Sequence, residues 1–386
     1  MHIIYFSCFP NELYTKYSKE NKYLFSQPAQ KFNRLMAEGF KLNGCNVTVV
    51  YVNSFDRNNL VTYEDSIKYV SFSNINPNNK INRIYTGFKI YNFLKKVVKK
   101  DRDTVLIFDY LEPYVHWVTR VKNSKKVAII TDFPEDLYNT NIQKLRLSSI
   151  KNKFRIKELY NIINHSDYYV GITDALLHKI NQDAKPQITI EGLVDSSNKL
   201  SNNVIKKNKK VCLYSGALHK RYGIEILVNA FKSNILENYE LHLYGWGDCV
   251  EFINNTCKMY NNILYFGNID NSTVIRRQSE ATLLINPRPI KEDFTKYSFP
   301  SKNLEYMLSG TPVLTTKLPG MPNEYYDYVF LISAENPNNL ALEIKKIFDL
   351  PKEILIDKAK KARSFVLKNK NNIAQTKRIL SLINNQ

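Results

Sequence analysis

Short runs of apolar and β-branched residues alternate with stretches of helical periodicity almost throughout. That alternation constrains the fold more than any other feature. His2–Phe6, Val47–Val52, Thr104–Phe108, Lys126–Ile130 and Tyr168–Gly171 are such runs. Between the first two, residues 27–43 place Phe32, Leu35, Met36, Phe40 and Leu42 on a helical pattern, and Gly44 stands where that helix would stop. Short buried strands alternating with helices predict a parallel sheet covered on both faces.

The pattern breaks at Ser196–Lys210, which is polar, charged and poor in large apolar residues, as an interdomain linker is. It then restarts with strands expected at Val211–Ser215, Glu240–Tyr244, Ile263–Phe266, Leu283–Asn286, Val313–Thr315 and Val329–Ile332. Helices are expected from Gly223, near Val250–Met259, from Ser301 and on to the C-terminus. Two α/β halves of similar size follow from this reading, as 386 residues would suggest.

Composition narrows the classes. Apolar residues make up 44% of the chain, enough to bury sizeable cores and to exclude a disordered polymer. No apolar run is long enough to span a bilayer, and the first residues lack the pattern of an export signal. The cysteines Cys8, Cys45, Cys212, Cys249 and Cys257 are scattered and odd in number, which predicts a cytoplasmic protein without a disulfide framework or structural zinc. With 55 Lys+Arg against 36 Asp+Glu, the formal charge is +19, which points to anionic partners: nucleic acid, a membrane face or phosphorylated substrates.

Two segments carry the chemistry. Ser215-Gly216-Ala217-Leu218-His219-Lys220-Arg221-Tyr222-Gly223 runs from a strand end through a glycine and two cations into an amphipathic helix. Free N–H groups, the helix dipole and Lys220 or Arg221 would suit an anion there, although an ordinary strand-to-helix turn has the same outline. The second segment, Tyr297 to Leu314, reads YSFPSKNLEYMLSGTPVL. Pro300 disfavours helix before it, Ser301 is a candidate N-cap, Glu305 falls about one turn into the helix, and Gly310 closes it. A helix start holding Ser301, Lys302 and a carboxylate can bind a phosphate and a sugar hydroxyl together; a capped core helix with Glu305 on its wet side is the alternative.

Together these segments resemble the retaining family 4 glycosyltransferases. Gly216 to Phe231 is similar to the glycine-led entry of that family's second domain, and Ser298 to Leu314 is similar to its F-P-S-K…E…S-G-T-P block. Gly245-Trp246-Gly247 and Tyr265-Phe266-Gly267 match its intervening glycine landmarks, and Asn286-Pro287-Arg288 its polar loop. In the first half, residues 27–33, Gly39 to Val49 and Glu191 to Asp195 resemble the family more loosely.

The resemblance implies a GT-B fold, with two Rossmann-like α/β domains facing each other across a cleft. It implies an acceptor domain over 1–200, a nucleotide-sugar domain over 201–370, and a helix over 371–386 crossing back to the first. It also implies transfer of a sugar, with a UDP-sugar the expected donor, to a glycan or polyprenyl-linked acceptor, with retention and with no metal or other cofactor. Carried over by position, Glu305 would bind the ribose, Ser301 and Lys302 the diphosphate, and Gly216 would let the phosphates approach. Asn268, Arg288 and Tyr297 complete the expected donor-binding set, and Lys220, Arg221 and Asp132 the expected catalytic one.

The chain departs from the family in four places. Ala217 and Tyr222 stand where the family often has Arg and Lys. Tyr297 replaces the first acid of its paired glutamates, leaving Glu292 and Asp293 as stand-ins. Ser7-Cys8-Phe9-Pro10 leads into a polar segment instead of a glycine loop, and Asp132 stands in place of a histidine. Asp132 follows a predicted strand, where parallel sheets place ligands, so it can orient or deprotonate an acceptor hydroxyl or simply form a turn before Pro134. Asp101-Arg102-Asp103 is formally a metal-binding DxD, but it precedes its strand and reads as a solvated turn. His116 and His165 have no partner at metal spacing and read as packing or surface residues.

Three other functions stay open: a sugar-nucleotide epimerase of the same fold, a catalytically silent glycan-binding relative, and a basic nucleic-acid-binding protein. The last lacks any recognised nucleic-acid motif, so nucleic acid is not expected as a partner. Two basic stretches, Lys89–Arg102 and Lys144–Glu158, carry six cations and one acid each. They read either as solvated helix faces or as a peripheral surface for the inner, anionic face of a membrane.

Overall fold

The computed structural model describes residues 1–7, 27–53, 59–134, 146–197 and 210–385. Cys8, most of the linker stretch, and Lys144 and Leu145 of the second basic stretch lie outside them. The chain divides into two compact units, Met1–Leu193 with Asn372–Gln386, and Val194–Asn371.

The first unit begins β1 (His2–Phe6), α1 (Gln27–Leu42), β2 (Asn46–Asn53), β3 (Val61–Glu64), β4 (Ile67–Ser73) and α2 (Lys80–Lys100). It continues with β5 (Thr104–Asp109), α3 (Val115–Val118), β6 (Lys125–Ile130), α4 (Arg146–Asn164), β7 (Tyr168–Gly171), α5 (Asp174–Ile180) and β8 (Gln187–Thr189). Its sheet has the order β3-β4-β2-β1-β5-β6-β7-β8, parallel except for the β3–β4 pair. Alternate residues serve opposite faces. Ile3, Tyr5, Val47, Val49, Val105, Ile107, Val127 and Ile129 meet Met36, Ala37 and Phe40 of α1 in one core cluster. The opposite parity, including Ile4, Phe6, Leu106, Phe108 and Ile130, is buried as well, as a sheet covered on both sides requires.

The second unit contains β9 (Val211–Ser215), α6 (Ile224–Phe231), β10 (Glu240–Tyr244), α7 (Val250–Cys257), β11 (Ile263–Tyr265), α8 (Asn271–Glu280) and β12 (Leu283–Asn286). It ends with α9 (Ser301–Leu308), β13 (Val313–Thr316), β14 (Phe330–Ile332), α10 (Pro337–Phe348) and α11 (Lys352–Asn369). Its sheet is parallel, in the order β11-β10-β9-β12-β13-β14. Along β9, Cys212 and Tyr214 enter one cluster with α6 and α10, whereas Val211 and Leu213 enter another with α9 and α11. In both sheets the strand order reverses beside the first strand, between β1 and β5 and between β9 and β12. The carboxyl ends at such a reversal form the crevice where open α/β sheets bind ligands.

The helix α12 (Asn372–Asn384) belongs to the first unit. Ile379 and Ile383 complete the cluster under α1, and Asn43 Nδ2 donates to Ile373 O and Thr376 Oγ1, each at 2.9 Å. Contact is closest at Gly39, where an added Cβ would stand 2.4 Å from Asn372 O and 2.7 Å from Thr376 Oγ1. Because the nearest obstacle is backbone, Gly39→Ala should force the two helices apart. We expect a loss of about 1–3 kcal/mol of stability, read from the urea midpoint at unchanged slope.

Candidate functional site

At the carboxyl ends of β9 and β10 the backbone is packed too tightly for side chains. Gly216 has φ +143° and Gly245 φ +128°, and a Cβ on Gly245 would lie 1.8 Å from Gly216 O. Gly216 N donates to Tyr244 O at 2.8 Å, and Leu218 N to Trp246 O at 2.9 Å, so the two loops are stitched together. A Cβ on Gly216 would fall 2.0 Å from Lys302 Nζ, so the lysine's amino end lies against the bare glycine.

Three cations gather at this edge. Burial lowers the pKa of Lys302, with Glu305 opposing the shift and Arg288 adding to it. Burial likewise lowers that of Arg288, whose Nε is buried without a hydrogen-bond partner while one Nη donates to Ser298 Oγ at 3.2 Å. The Arg288 guanidinium lies 5.0 Å from the Tyr222 ring and 5.4 Å from Phe294; that of Arg221 lies 5.0 Å and 5.6 Å from the same two rings. Among the described residues none of the three forms an ion pair. Holding partly desolvated cations without an ion-pair partner is costly, so the arrangement suits an anionic ligand.

The other expected donor-site residues fall in the same unit. Glu305, in the second turn of α9, accepts from Gln278 Nε2 at 2.5 Å, and Gln278 also donates to Ser215 Oγ at 3.0 Å. Ser301 is the first helical residue of α9; Pro300 holds the cap position, so the expected Ser301 N-cap does not form and no side chain caps the helix. The helix instead starts one residue earlier than a serine cap would allow, because the fixed φ of Pro300 already directs the chain into it. Asn268 is exposed directly after Gly267, and Tyr297 is half-buried beneath Lys296, whose Nζ lies 5.8 Å from its ring. Lys220 is three-quarters exposed and pairs with Glu225 at 3.0 Å. Its charge is therefore already partnered, unlike those of Arg221, Arg288 and Lys302.

In the first unit, the carboxyl ends of β5 and β6 bring together acids that the sequence did not connect. Asp132 is exposed; its carboxylate accepts from Thr131 Oγ1 at 2.9 Å, and its carbonyl accepts from Tyr110 OH at 2.8 Å. Asp109, at the end of β5, accepts from Leu111 N at 2.9 Å. Burial pushes its carboxyl up to about 7 against that hydrogen bond, and Asp132 adds to the rise. Burial and then Asp109 push Glu112 up to about 8. Nearby, Asn74 donates to Tyr114 OH in a buried pair. His116 and His165 line one small cavity with Arg120 and Glu158, although nothing in their spacing links them. Asp101 receives the Asp103 N–H at 3.1 Å and lies 3.6 Å from His2, a surface turn ahead of β5. No group of three or more His, Cys, Asp or Glu that would hold a metal occurs among the described residues.

Gln278, Asp109 and Glu112 are the residues that sequence reasoning missed. Gln278 sits in an ordinary amphipathic helix with no local signal, and only the return of α9 beside β9 reveals it. Asp109 could have been found as an acid ending an apolar run, by the argument applied to Asp132.

With these geometries in place, comparison with known proteins is direct. Residues 195–365 match the family model described as Glycosyl transferases group 1. That match spans nearly the whole of the second unit. A search of curated proteins finds no match. Among solved structures, sucrose-phosphate synthase from Thermosynechococcus elongatus superposes with a TM-score of 0.67 at 16% identity, over 100% of this chain and 99% of that one. Anabaena HepE in complex with UDP and glucose gives 0.66 at 13%, over 100% of both chains. A trehalose-6-phosphate structure from E. coli bound with UDP-2-fluoro glucose gives 0.66 at 10%, over 100% of this chain and 99% of that one. The fold is GT-B, and the enzyme class is glycosyltransferase.

Two outcomes follow from these arrangements. Lys302→Met should leave the unliganded protein as stable or more so, because it removes a half-buried charge that has no ion-pair partner among the described residues. The same change should weaken nucleoside-diphosphate binding by about 1–3 kcal/mol, measured by calorimetry alongside the melting curve. For Asp109, the folded state keeps its proton up to about 7, while an unfolded aspartate loses it near 3.8. The native state thus binds more protons across that window, and stability falls as pH rises through it. Asp109→Asn should remove part of that slope, on the order of 1–3 kcal/mol between pH 5 and 8 in denaturant titrations.

Proposed function

We propose that this glycosyltransferase moves a sugar from a nucleoside diphosphate sugar, most simply a UDP-sugar, to a hydroxyl of a glycan or polyprenyl-linked acceptor. The observation that carries the donor reading is a pair of half-buried cations without ion-pair partners among the described residues: Lys302 against the bare backbone of Gly216, and Arg288 with its Nε unbonded. HepE with UDP and glucose, and the E. coli structure with UDP-2-fluoro glucose, support a uridine nucleotide. The S. aureus TarM complex with UDP and alpha-GlcNAc-glycerol, at a TM-score of 0.55 and 18% identity, supports a glycan-type acceptor.

In this reading Glu305, oriented by Gln278, accepts hydrogen bonds from the ribose hydroxyls. Lys302, Arg288 and Arg221 hold the diphosphate, and Gly216 admits it to the loop. Ser301 adds the open first turn of α9, while Asn268 and Tyr297 lie toward the rest of the donor. Lys220, paired with Glu225, contributes to the field at longer range. As the glycosidic bond breaks, negative charge grows on the departing diphosphate, and fixed cations that need no reorganisation stabilise it. Those cations make a metal unnecessary for charge neutralisation, so the proposed transfer is metal-independent. Asp132 orients or deprotonates the acceptor hydroxyl, and retention of configuration follows the family resemblance.

UDP should raise the thermal midpoint by mass action, and Glu305→Ala should weaken UDP binding by about 1–3 kcal/mol. With donor and acceptor present, release of free UDP should persist in EDTA, and Asp132→Asn should lower kcat far more than donor affinity. A midpoint unmoved by millimolar nucleotide would overturn the donor site, and rescue of lost activity by Mg²⁺ after chelation would overturn metal independence.

A further inference from the structure

The helix α2 has two apolar faces, and only one is used by the core. Thr86, Gly87, Ile90, Leu94 and Val98 are buried against the first unit. Ile81, Ile84, Tyr85 and Phe88 are 76%, 61%, 58% and 52% exposed. Their positions follow the i, i+3, i+4, i+7 rule of a single stripe. At about 100° per residue, that stripe is centred roughly 140° around the helix from the buried one. Isolated exposed apolar residues need no explanation, but four large ones aligned on one helix do.

Charge supplies the second observation. Along its 21 residues α2 carries Lys80, Arg83, Lys89, Lys95, Lys96, Lys99 and Lys100 and no acid. Lys95 and Lys99 extend the outward face beyond Phe88, and both are exposed along with Lys96 and Lys100. Lys89 Nζ lies 4.2 Å from the centre of the Tyr85 ring, so a cation borders the stripe directly. The outward face therefore runs from apolar in its first turns to basic in its last.

We infer that this face of α2 docks on an anionic lipid bilayer, with Ile81, Ile84, Tyr85 and Phe88 entering the headgroup–acyl boundary and the lysines pairing with lipid phosphates. A helix lying in the interface needs an apolar face to bury, a cationic region to meet anionic headgroups, and no acid to oppose it. α2 meets all three, and the chain's formal charge of +19 adds long-range attraction. A protein partner would instead have to neutralise, with acids of its own, seven cations on one helix that form no ion pair among the described residues. The second basic helix, α4, exposes Phe154 at 70% beside Lys153, Arg155 and Lys157, but only one large apolar residue among its described side chains stands out in this way. The docking surface thus lies on α2 and does not depend on the sugar-donor reading.

Full-length protein would be sedimented with vesicles of phosphatidylcholine alone and with vesicles containing phosphatidylglycerol. Partitioning onto the anionic vesicles should exceed that onto neutral ones by at least tenfold and fall with added salt. Ile81→Ser with Phe88→Ser should lower it at least tenfold at low salt, and Lys95→Glu with Lys99→Glu should do the same while flattening the salt dependence. All of these residues are exposed, and an unchanged circular-dichroism spectrum and thermal midpoint of each unliganded variant would confirm folding independently of the donor site. Wild-type partitioning in both double variants, equal binding to neutral vesicles, or no binding to either would overturn the inference. So would a vesicle-independent dimer that the serine variant dissociates, since the face would then join two copies of the chain.

Discussion

Parallel pairing is the constraint on which the rest depends. A parallel strand cannot return through a tight turn, so each crossover must travel back over a face of the sheet, and the helices that do so cover both faces. One consequence is thermodynamic: β1, β5, β6 and β9 are apolar on both parities because neither face meets water. The other is geometric, since every strand running with the sheet delivers its following loop to the same edge. Gly216, Gly245, Arg288 and the start of α9 meet because each follows a strand of one sheet, and Asp109 and Asp132 meet at the edge of the other for the same reason.

What the edge of the second unit then does with its polar groups is unusual. Buried polar atoms normally find partners, yet Arg288 Nε has none and Lys302 Nζ rests against a glycine. Glu305, the nearest acid along α9, is taken up by Gln278 and not by either cation. The carboxylate is thereby kept available in a fixed orientation, while the cations keep their electrostatic need. In the proposed reading, such a site stores an unfavourable interaction that a diphosphate would relieve, and part of its binding free energy would come from that relief.

The alternation of strands and helices was legible because burial on both faces leaves an unmistakable apolar run for each strand. The glycines at the carboxyl edge of β9 and β10 were legible too, since Gly216 and Gly245 occupy conformations that other residues avoid. Which cation lies against the glycine was not legible. Lys220 and Arg221 stand beside it in sequence, whereas Lys302 reaches it only through the order of strands β9, β12 and β13. Ser301 looked like a cap because serine so often is one, and the proline before it held that position instead. Gln278 left no trace, because its role is defined by Ser215 and Glu305, distant in sequence on both sides. The charge of α2 was visible, but its exposed stripe was hidden among other apolar residues until the buried face was known.

The placement of α12 has a consequence for how the chain matures on the ribosome. Domains usually fold in order of synthesis, each as its own unit. Here the first unit takes its covering helix from residues made only after all of Val194–Asn371 has been synthesised. Until then the surface of α1 around Gly39 and the apolar residues that pack on Ile379 and Ile383 lack the cover that α12 supplies. The second unit, whose sequence is continuous, can close first. The nascent first unit therefore passes through a stage with open apolar surface, during which a chaperone has a binding site that the finished protein no longer offers.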